Sequence, residues 1–138
     1  MPRPDFLLPL SREHHSALVL ARAARKALNA NDLIACFEVL EKIEAYWHAV
    51  MASHFDKEEQ LLKQVSIVLN PDDAARMHSE HEQLRRLADK SCELEPSVRL
   101  SKFADLMAAH VRYEERVLFP LLERCFEKIP EKIIKTLS

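Results

Sequence analysis

Apolar residues recur along the chain at the three- to four-residue spacing of amphipathic helices, and polar or proline-containing segments separate four such stretches. Ser11 is a candidate N-cap for the first predicted helix, and Pro130 ends the fourth. The four predicted helices run from just after Pro9 to about Asn29, from about Asp32 to Val68, from about Pro71 to Ser91 and from Ser97 to about Lys128.

The segments between the predicted helices are short and carry helix-capping residues. Residues 29–32 supply caps for the second helix, and Asn70 precedes Pro71, a residue type favoured in the first turn of a helix. Connections this short predict an all-α fold, an antiparallel up-down four-helix bundle that occupies residues 1–138 as a single domain. The final residues, EKIIKTLS at 131–138, are compatible with a short C-terminal helix packed across one end.

Histidine and glutamate lie in the middle of the apolar stripes, where a buried polar group costs free energy unless something compensates it. At 100° per residue, the apolar positions within about 40° of His54 are Cys36, Leu40, Ile43, Trp47, Val50, Leu61 and Val65. Those around His110 and Glu114 are Phe103, Met107, Leu118, Leu121 and Cys125. Those around His81 are Ala74, Met77, Ala88 and Cys92. The pattern predicts a polar site inside the bundle.

The 138 residues include no glycine. Phosphate-binding loops and nucleophile elbows need glycine where the backbone approaches a ligand or takes a positive φ, so the composition excludes these classes of site. Two-residue β-hairpins prefer glycine for the same reason, which disfavours a β-rich fold. Chemistry in this chain is therefore expected from side chains on helices.

Charge and cysteine usage narrow the expected partners and compartment. The formal net charge is −2, which disfavours a nucleic-acid partner. No apolar run approaches the roughly 18 residues of a membrane helix, and the proline-broken N-terminus is too short for a signal peptide, so no membrane association is predicted. The three cysteines, Cys36, Cys92 and Cys125, are far apart and predict reduced thiols in a cytoplasmic protein.

Two segments share the pattern H-x-x-x-E-E-x-[LV]-L, at residues 54–62 and 110–118. In a helix the histidine and the first glutamate lie one turn apart on the same face, where an imidazole and a carboxylate can bind one metal ion or neighbouring ions. The second glutamates, Glu59 and Glu115, point about 100° away and are expected at the surface or between helices. The alternative is that they orient the imidazoles of the ligands.

One inward histidine comes from each predicted helix, and two glutamates lie beside them; the six are His14, His54, His81, His110, Glu58 and Glu114. Four imidazoles and two carboxylates in a bundle core suit a pair of transition-metal ions, with the carboxylates bridging and offsetting the repulsion between cations. This donor set favours iron, manganese or zinc over calcium or magnesium. Six ligands for two ions leave coordination positions open for a small molecule.

The other histidines fit this site less well. His14 is favoured over His15 because apolar residues surround it, whereas arginines stand seven and ten residues after His15. A supporting role for His15 stays open. His78 lies three residues before His81. It is expected at the surface or in contact with a metal ligand, and the alternative is that it binds the metal itself. His48 is expected at the periphery.

The chain resembles the hemerythrin-like family, also called HHE cation-binding domains, over essentially its whole length. The stretches that carry the resemblance are LSREHHSAL, HFDKEEQLL, MHSEHEQLRRL and HVRYEERVLFPLLE. The resemblance implies a four-helix bundle around a non-haem di-iron site. Matched by position, Glu58 and Glu114 would bridge the irons, and the terminal ligands would be His14, His54, His81 and His110.

The chain departs from the oxygen-carrying hemerythrins at two positions, and the loss of one histidine ligand leaves the predicted site more open. Met77 stands where those proteins have a second histidine, and Glu114 follows His110 by four residues where they have an aspartate after five. The resemblance implies two iron ions, oxo- or hydroxo-bridged and replaceable by manganese or zinc. They would bind or sense dioxygen or a related diatomic or peroxide ligand, in iron handling or in oxidative or nitrosative stress. The alternatives are a redox enzyme of peroxidase or nitric oxide reductase type and a metal-free helical interaction module.

Overall fold

The computed structural model describes residues 3–129, and this part of the chain contains helices and no strand. Helices α2 and α3 are joined by a π-helical turn into one rod, as are α5 and α6, so that four rods form a bundle. The helices are α1 (Leu8–Asn29), α2 (Leu33–Tyr46), α3 (Ala52–Gln64), α4 (Pro71–Ala88), α5 (Pro96–Tyr113) and α6 (Phe119–Lys128), with π-helical turns at Trp47–Met51 and Glu114–Leu118. The predicted all-α four-helix bundle is confirmed.

Ion pairs and hydrogen bonds show that the first and last rods run in opposite directions. Arg25, near the end of α1, pairs with Asp105 in α5. Ser11, near the start of α1, donates to Glu115, which lies ten residues farther along the partner rod. A residue late in α1 thus contacts an early residue of the last rod, and a residue early in α1 contacts a later one. This is the arrangement of antiparallel neighbours that the short connections predict.

Side-chain caps mark the beginning of two of the four rods. The Asp32 side chain accepts a hydrogen bond from the backbone N–H of Ala35 at 3.2 Å, and that of Asn70 accepts from Asp72 at 2.8 Å. The prediction of Ser11 as an N-cap is wrong, because α1 begins at Leu8 with a proline in its first turn. Ser11 is instead free to donate to a neighbouring rod.

The predicted boundaries at Asn29, Pro71 and Lys128 match the observed ones, and the others differ by one to four residues. The second rod ends at Gln64 rather than Val68, because the backbone at Val65 leaves the helical region. The third helix ends at Ala88 rather than Ser91, since Asp89 is extended. The last rod begins at Pro96, one residue early. The suggested helix at 131–138 and the stop at Pro130 lie outside the described residues.

Each π-helical turn shifts the register of its rod by about one residue. At the end of the turn in the second rod and beyond it, Met51 and Leu62 are buried where straight-helix geometry predicts Val50 and Leu61. Beyond the turn in the last rod, Phe119 and Leu122 are buried, whereas the predicted Leu121 is only partly so. Pro120 follows this π-helical turn and stands in the first turn of α6, where its missing N–H breaks no helical hydrogen bond.

Arg99 is a buried charge that fastens the start of α5 to the end of α4. Its Nε donates to the carbonyl of Leu87 at 2.6 Å and its Nη2 to that of Asp89 at 3.0 Å. Its Nη1 donates to Glu44 in α2 at 3.2 Å. Carbonyls at the end of a helix lack partners within the helix, so this guanidinium satisfies them and balances its own burial.

The buried apolar residues form two clusters, one toward each end of the bundle. Along α1, for example, Leu10 belongs to one cluster, Ala17 to the other, and His14 lies between them. On each of the other rods, too, the polar residues lie where one cluster gives way to the other. A layer of polar side chains therefore separates the two clusters. Within residues 3–129, no helix is long and apolar enough to cross a membrane.

Candidate metal centre

All six residues predicted as metal ligands lie in the polar layer between the two apolar clusters. Each of the four histidines and both glutamates is at most 2% exposed to solvent. The second rod contributes a glutamate one helical turn after its histidine, and so does the last rod. The six residues are His14, His54, Glu58, His81, His110 and Glu114.

The first group of potential ligands combines the histidines of α1 and α3, here called the α1/α3 histidine pair, with both glutamates. Glu58 Oε2 lies 3.1 Å from His54 Nε2 and 3.5 Å from His14 Nε2. Glu114 Oε1 lies 2.8 Å from His14 Nε2, and the two Nε2 atoms are 3.2 Å apart. One potential ligand atom from each residue falls within 4.8 Å of the others, which is compact enough for one metal ion.

The second group combines His81 and His110, the α4/α5 histidine pair, with the same glutamates. His81 Nε2 is 3.0 Å from Glu58 Oε1 and 3.8 Å from Glu114 Oε2, and His110 Nε2 is 3.1 Å from Glu114 Oε1. Its four potential ligand atoms also lie within 4.8 Å of one another. Glu58 and Glu114, the shared glutamates, therefore belong to both groups, which is an arrangement suited to two neighbouring cations.

Five buried side-chain atoms in this layer lack a hydrogen-bond partner: Glu58 Oε1 and Oε2, Glu114 Oε2, His81 Nε2 and His110 Nε2. Buried polar atoms without partners are rare in folded proteins, and a missing ion is one explanation. All five atoms are nitrogens or carboxylate oxygens of the kind that bind iron, manganese or zinc. The site therefore fits a pair of such ions, and the buried clusters of histidine and glutamate suit a metal-binding domain.

The outward nitrogen of every histidine in the layer contacts a further glutamate. Nδ1 of His81 lies 2.7 Å from Glu59 and Nδ1 of His110 lies 2.7 Å from Glu80. The corresponding distances are 3.0 Å between His54 and Glu13 and 3.2 Å between His14 and Glu115. An imidazole that donates its Nδ1–H to a carboxylate turns the lone pair of Nε2 toward a metal ion. These four outer carboxylates are Glu13, Glu59, Glu80 and Glu115.

The outer carboxylates link the four rods in a closed circuit. Glu13 of α1 contacts the histidine of α3, Glu59 of α3 that of α4, Glu80 of α4 that of α5, and Glu115 of the last rod that of α1. Glu59 and Glu115 lie between helices, as expected, and there they contact imidazoles in the way that the alternative orienting role requires. Sequence reasoning missed Glu13 and Glu80, although each directly precedes a predicted ligand in a Glu-His pair.

The carboxylates keep protons on the imidazoles of the metal-free site. Burial alone lowers the pKa of His14, but its hydrogen bonds to Glu114 and Glu115 outweigh burial and raise that pKa to about 11. The pKa of His110 rises to about 10 because Glu114 and Glu80 outweigh its burial. Burial raises the pKa of Glu114, but the facing imidazoles outweigh it and bring that pKa well below its usual range. Metal ions must displace these protons.

Two phenylalanines pack flat against the histidines. The Phe55 ring stacks on His81 with centroids 3.8 Å apart and an angle of 5° between planes. The Phe119 ring stacks on His14 with centroids 5.2 Å apart and an angle of 20°. Both phenylalanines are fully buried. They separate the polar layer from bulk water and restrict the rotation of the imidazoles.

The remaining histidines lie outside this layer. His15 and His48 are exposed, so the structure brings His14 rather than His15 into the group. His78 is also exposed, and its Nδ1 lies 3.9 Å from Glu59 on the outer side of the site. Met77 is fully buried one turn before His81.

Comparison with known proteins agrees with the geometry. A sequence profile described as "Hemerythrin HHE cation binding domain" matches residues 9–122, which include all six residues of the polar layer. Searches of curated proteins and of solved structures returned no match. Because the profile covers most of the chain, the protein belongs to the hemerythrin HHE cation-binding domain family.

Proposed function

We propose that this chain is a non-haem di-iron protein that binds or senses dioxygen or a related small molecule. The observation that carries the proposal is that two histidine pairs share Glu58 and Glu114. Together with these glutamates, each pair forms a group compact enough to bind one metal ion. In the proposed site both shared glutamates would hold the two ions. The remaining ligands would be His14, His54, His81 and His110.

The donor set supports iron, manganese or zinc, and the resemblance to hemerythrin-like proteins favours iron among these. Imidazole nitrogens suit iron and zinc, and carboxylates also suit manganese, whereas calcium and magnesium prefer sites made of oxygen alone. Two carboxylates offset part of the charge of two divalent cations inside an apolar bundle. Manganese and zinc are the proposed substitutes for iron.

The number of ligands supports binding of a small molecule. Two histidines and two shared glutamates give each ion at most four protein ligands, which leaves positions open. When bound, a pair of irons supplies redox chemistry and vacant coordination positions at the centre of the bundle. The imidazoles hold the ions, the outer carboxylates fix the imidazoles, and Phe55 and Phe119 exclude bulk water.

We further propose that the protein works in the cytoplasm and has no nucleic-acid partner. Its three cysteines are free thiols, which is usual in a reducing compartment. Its formal net charge of −2 offers no general attraction to phosphate backbones.

Metal analysis of protein purified without chelators tests the proposal most directly. We expect about two iron ions per chain after anaerobic loading with Fe²⁺, and a change in near-ultraviolet and visible absorption when air is admitted. His14→Ala should lower the metal content, while His15→Ala, which removes an exposed neighbour, should leave it unchanged. A chain that takes up no iron, or whose spectrum is insensitive to air, would contradict the proposal. Turnover of hydrogen peroxide or nitric oxide would instead favour a redox enzyme.

A further inference from the structure

The outer carboxylates hold the two histidine pairs unequally. In the α4/α5 pair, both hydrogen bonds from Nδ1 to an outer carboxylate are 2.7 Å long. In the α1/α3 pair they are 3.0 and 3.2 Å long. The side chains of Glu80 and Glu59 are 13% and 24% exposed, whereas those of Glu13 and Glu115 are 31% and 32% exposed. The carboxylates of the α4/α5 pair are thus closer to their histidines and better shielded from water.

Arginines reinforce the same two carboxylates. Arg85 Nη2 lies 2.6 Å from Glu59 Oε2, and Arg76 Nε lies 3.2 Å from Glu80 Oε2. The Arg76 guanidinium is itself held 3.8 Å above the ring of Tyr113. Hydrogen bonds between charged groups are stronger than neutral ones, so each carboxylate of the α4/α5 pair is fixed from both sides.

The carboxylates of the α1/α3 pair have weaker support. Glu115 accepts a hydrogen bond from the neutral Ser11 hydroxyl at 2.9 Å, and the nearest approach of Arg3 to its carboxylate is 4.0 Å. Arg3 makes its closer ion pair, at 2.9 Å, with Glu123. Across residues 3–129, Glu13 forms no ion pair with an arginine or lysine. The one ion pair of its carboxylate among the described residues is with His54.

Aromatic packing follows the same division. Phe55 lies flat on His81 at 3.8 Å, and it meets the rings of His110 and His54 edge-on at similar distances of 5.9 and 6.0 Å, so the two pairs differ in their stacked contacts. The stacked contact on the other side, between Phe119 and His14, is looser at 5.2 Å. The α4/α5 imidazoles therefore have less freedom to rotate than the α1/α3 imidazoles. Ordering a ligand before binding reduces the entropy lost on binding.

We propose that the two metal positions differ in affinity and fill in order: the α4/α5 pair with the shared glutamates binds the first ion, and the α1/α3 pair binds the second, more exchangeable ion. Glu80 and Glu59 are the positioning residues of the tight site, and Glu13 and Glu115 those of the weak site. This inference rests on the proposed two-metal function. Both positions have two histidines and the same two carboxylates, so the difference arises outside the ligands.

A calorimetric titration of the metal-free 138-residue chain with Fe²⁺ under anaerobic conditions tests this order. We expect two resolved binding steps for the unmodified protein. Glu80→Gln keeps the shape of the side chain but removes its charge, and loss of such an outer partner weakens metal binding by about 10- to 100-fold. Glu80→Gln should raise the Kd of the first step and make the Kd values of the two steps more alike. Glu13→Gln should raise the Kd of the second step and make the two Kd values differ more.

The gap between the two affinities should narrow in Glu80→Gln and widen in Glu13→Gln. General damage to the fold would not produce these opposite changes. Glu82→Gln is the matched control, because Glu82 lies on α4 and pairs only with the exposed Arg86 among the described residues. It should change neither step. A structural role alone would shift both binding steps together.

Three results would overturn the inference. They are equal affinities in the unmodified protein, an effect of Glu80→Gln confined to the weaker step, and a shift of both steps in the same direction by Glu13→Gln and Glu80→Gln. Absence of any Fe²⁺ binding would be a different failure, since it would refute the proposed function itself.

Discussion

Glu58 is the side chain whose alteration tests the shared carboxylates most sharply. Its two oxygens lie 3.0 Å from His81 Nε2 and 3.1 Å from His54 Nε2, so a single carboxylate faces both histidine pairs. Glu58→Gln preserves the shape of the side chain but removes its charge and one potential ligand oxygen. We expect the variant to retain at most one metal ion, because Glu114 alone would have to offset the repulsion between two divalent cations.

The expected size of the effect follows from the stabilisation that bound ions give to the folded state. At free metal about 100 times above Kd, each ion bound only by the folded chain contributes about 2.7 kcal/mol. An unfolding entropy of about 2.1 cal/mol/K per residue amounts to about 0.3 kcal/mol/K for 138 residues. Each ion should therefore raise Tm by about 9 °C. Two ions raise it by about 18 °C in the unmodified protein, and Glu58→Gln should show about half of this or less.

Differential scanning calorimetry with and without Fe²⁺ under anaerobic conditions, combined with elemental analysis, measures both quantities. Glu41→Gln is the matched control, since Glu41 is an exposed residue of the same rod. It should keep two ions per chain and the full rise in Tm. If Glu58→Gln does the same, Glu58 is not a shared ligand and the reasoning from geometry is refuted.

Three further predictions concern the fold and the protons of the site. Arg99→Met should lower the free energy of unfolding by about 3 kcal/mol in urea titrations, because it leaves the carbonyls at the end of α4 without a donor; an unchanged midpoint would contradict this. Phe55→Ala should destabilise the metal-free protein by about 3–5 kcal/mol, whereas Phe37→Ala, at an exposed position, should cost less than about 0.5 kcal/mol. Fe²⁺ binding at pH 7 should release protons into weakly buffered solution, and the apparent affinity should rise with pH toward 10. The metal-free protein holds His110 and His14 protonated up to a pKa of about 10 and 11, respectively, and metal must displace those protons. Binding without proton release would show that these imidazoles are neutral before the metal arrives.

The amino-acid sequence was sufficient for the class of fold and for the ligand candidates. Apolar residues at helical spacing, capping residues such as Asp32 and short connections already predict a four-helix bundle. The repeated H-x-x-x-E-E pattern predicts one turn of a helix with an imidazole and a carboxylate on the same face. These features depend on residues close together in the chain, and local geometry relates them directly.

Contacts between rods could not be derived in this way. The π-helical turns rotate the residues after Trp47–Met51 and Glu114–Leu118, so Leu62 and Leu122 are buried in place of the leucines that precede them. An ideal helix of constant pitch gives no sign of such a turn, because its position depends on packing against neighbouring rods.

The circuit of outer carboxylates is the clearest property that the tertiary structure decided. Glu13 contacts a histidine 41 residues away, and Glu115 one 101 residues away. Helical periodicity places a glutamate next to a ligand at about 100° from the inward direction, and whether it meets solvent or the imidazole of another rod depends on the distance and rotation of that rod. The sequence by itself therefore determined which side chains could bind metal, while the packing of the bundle determined which carboxylates orient them.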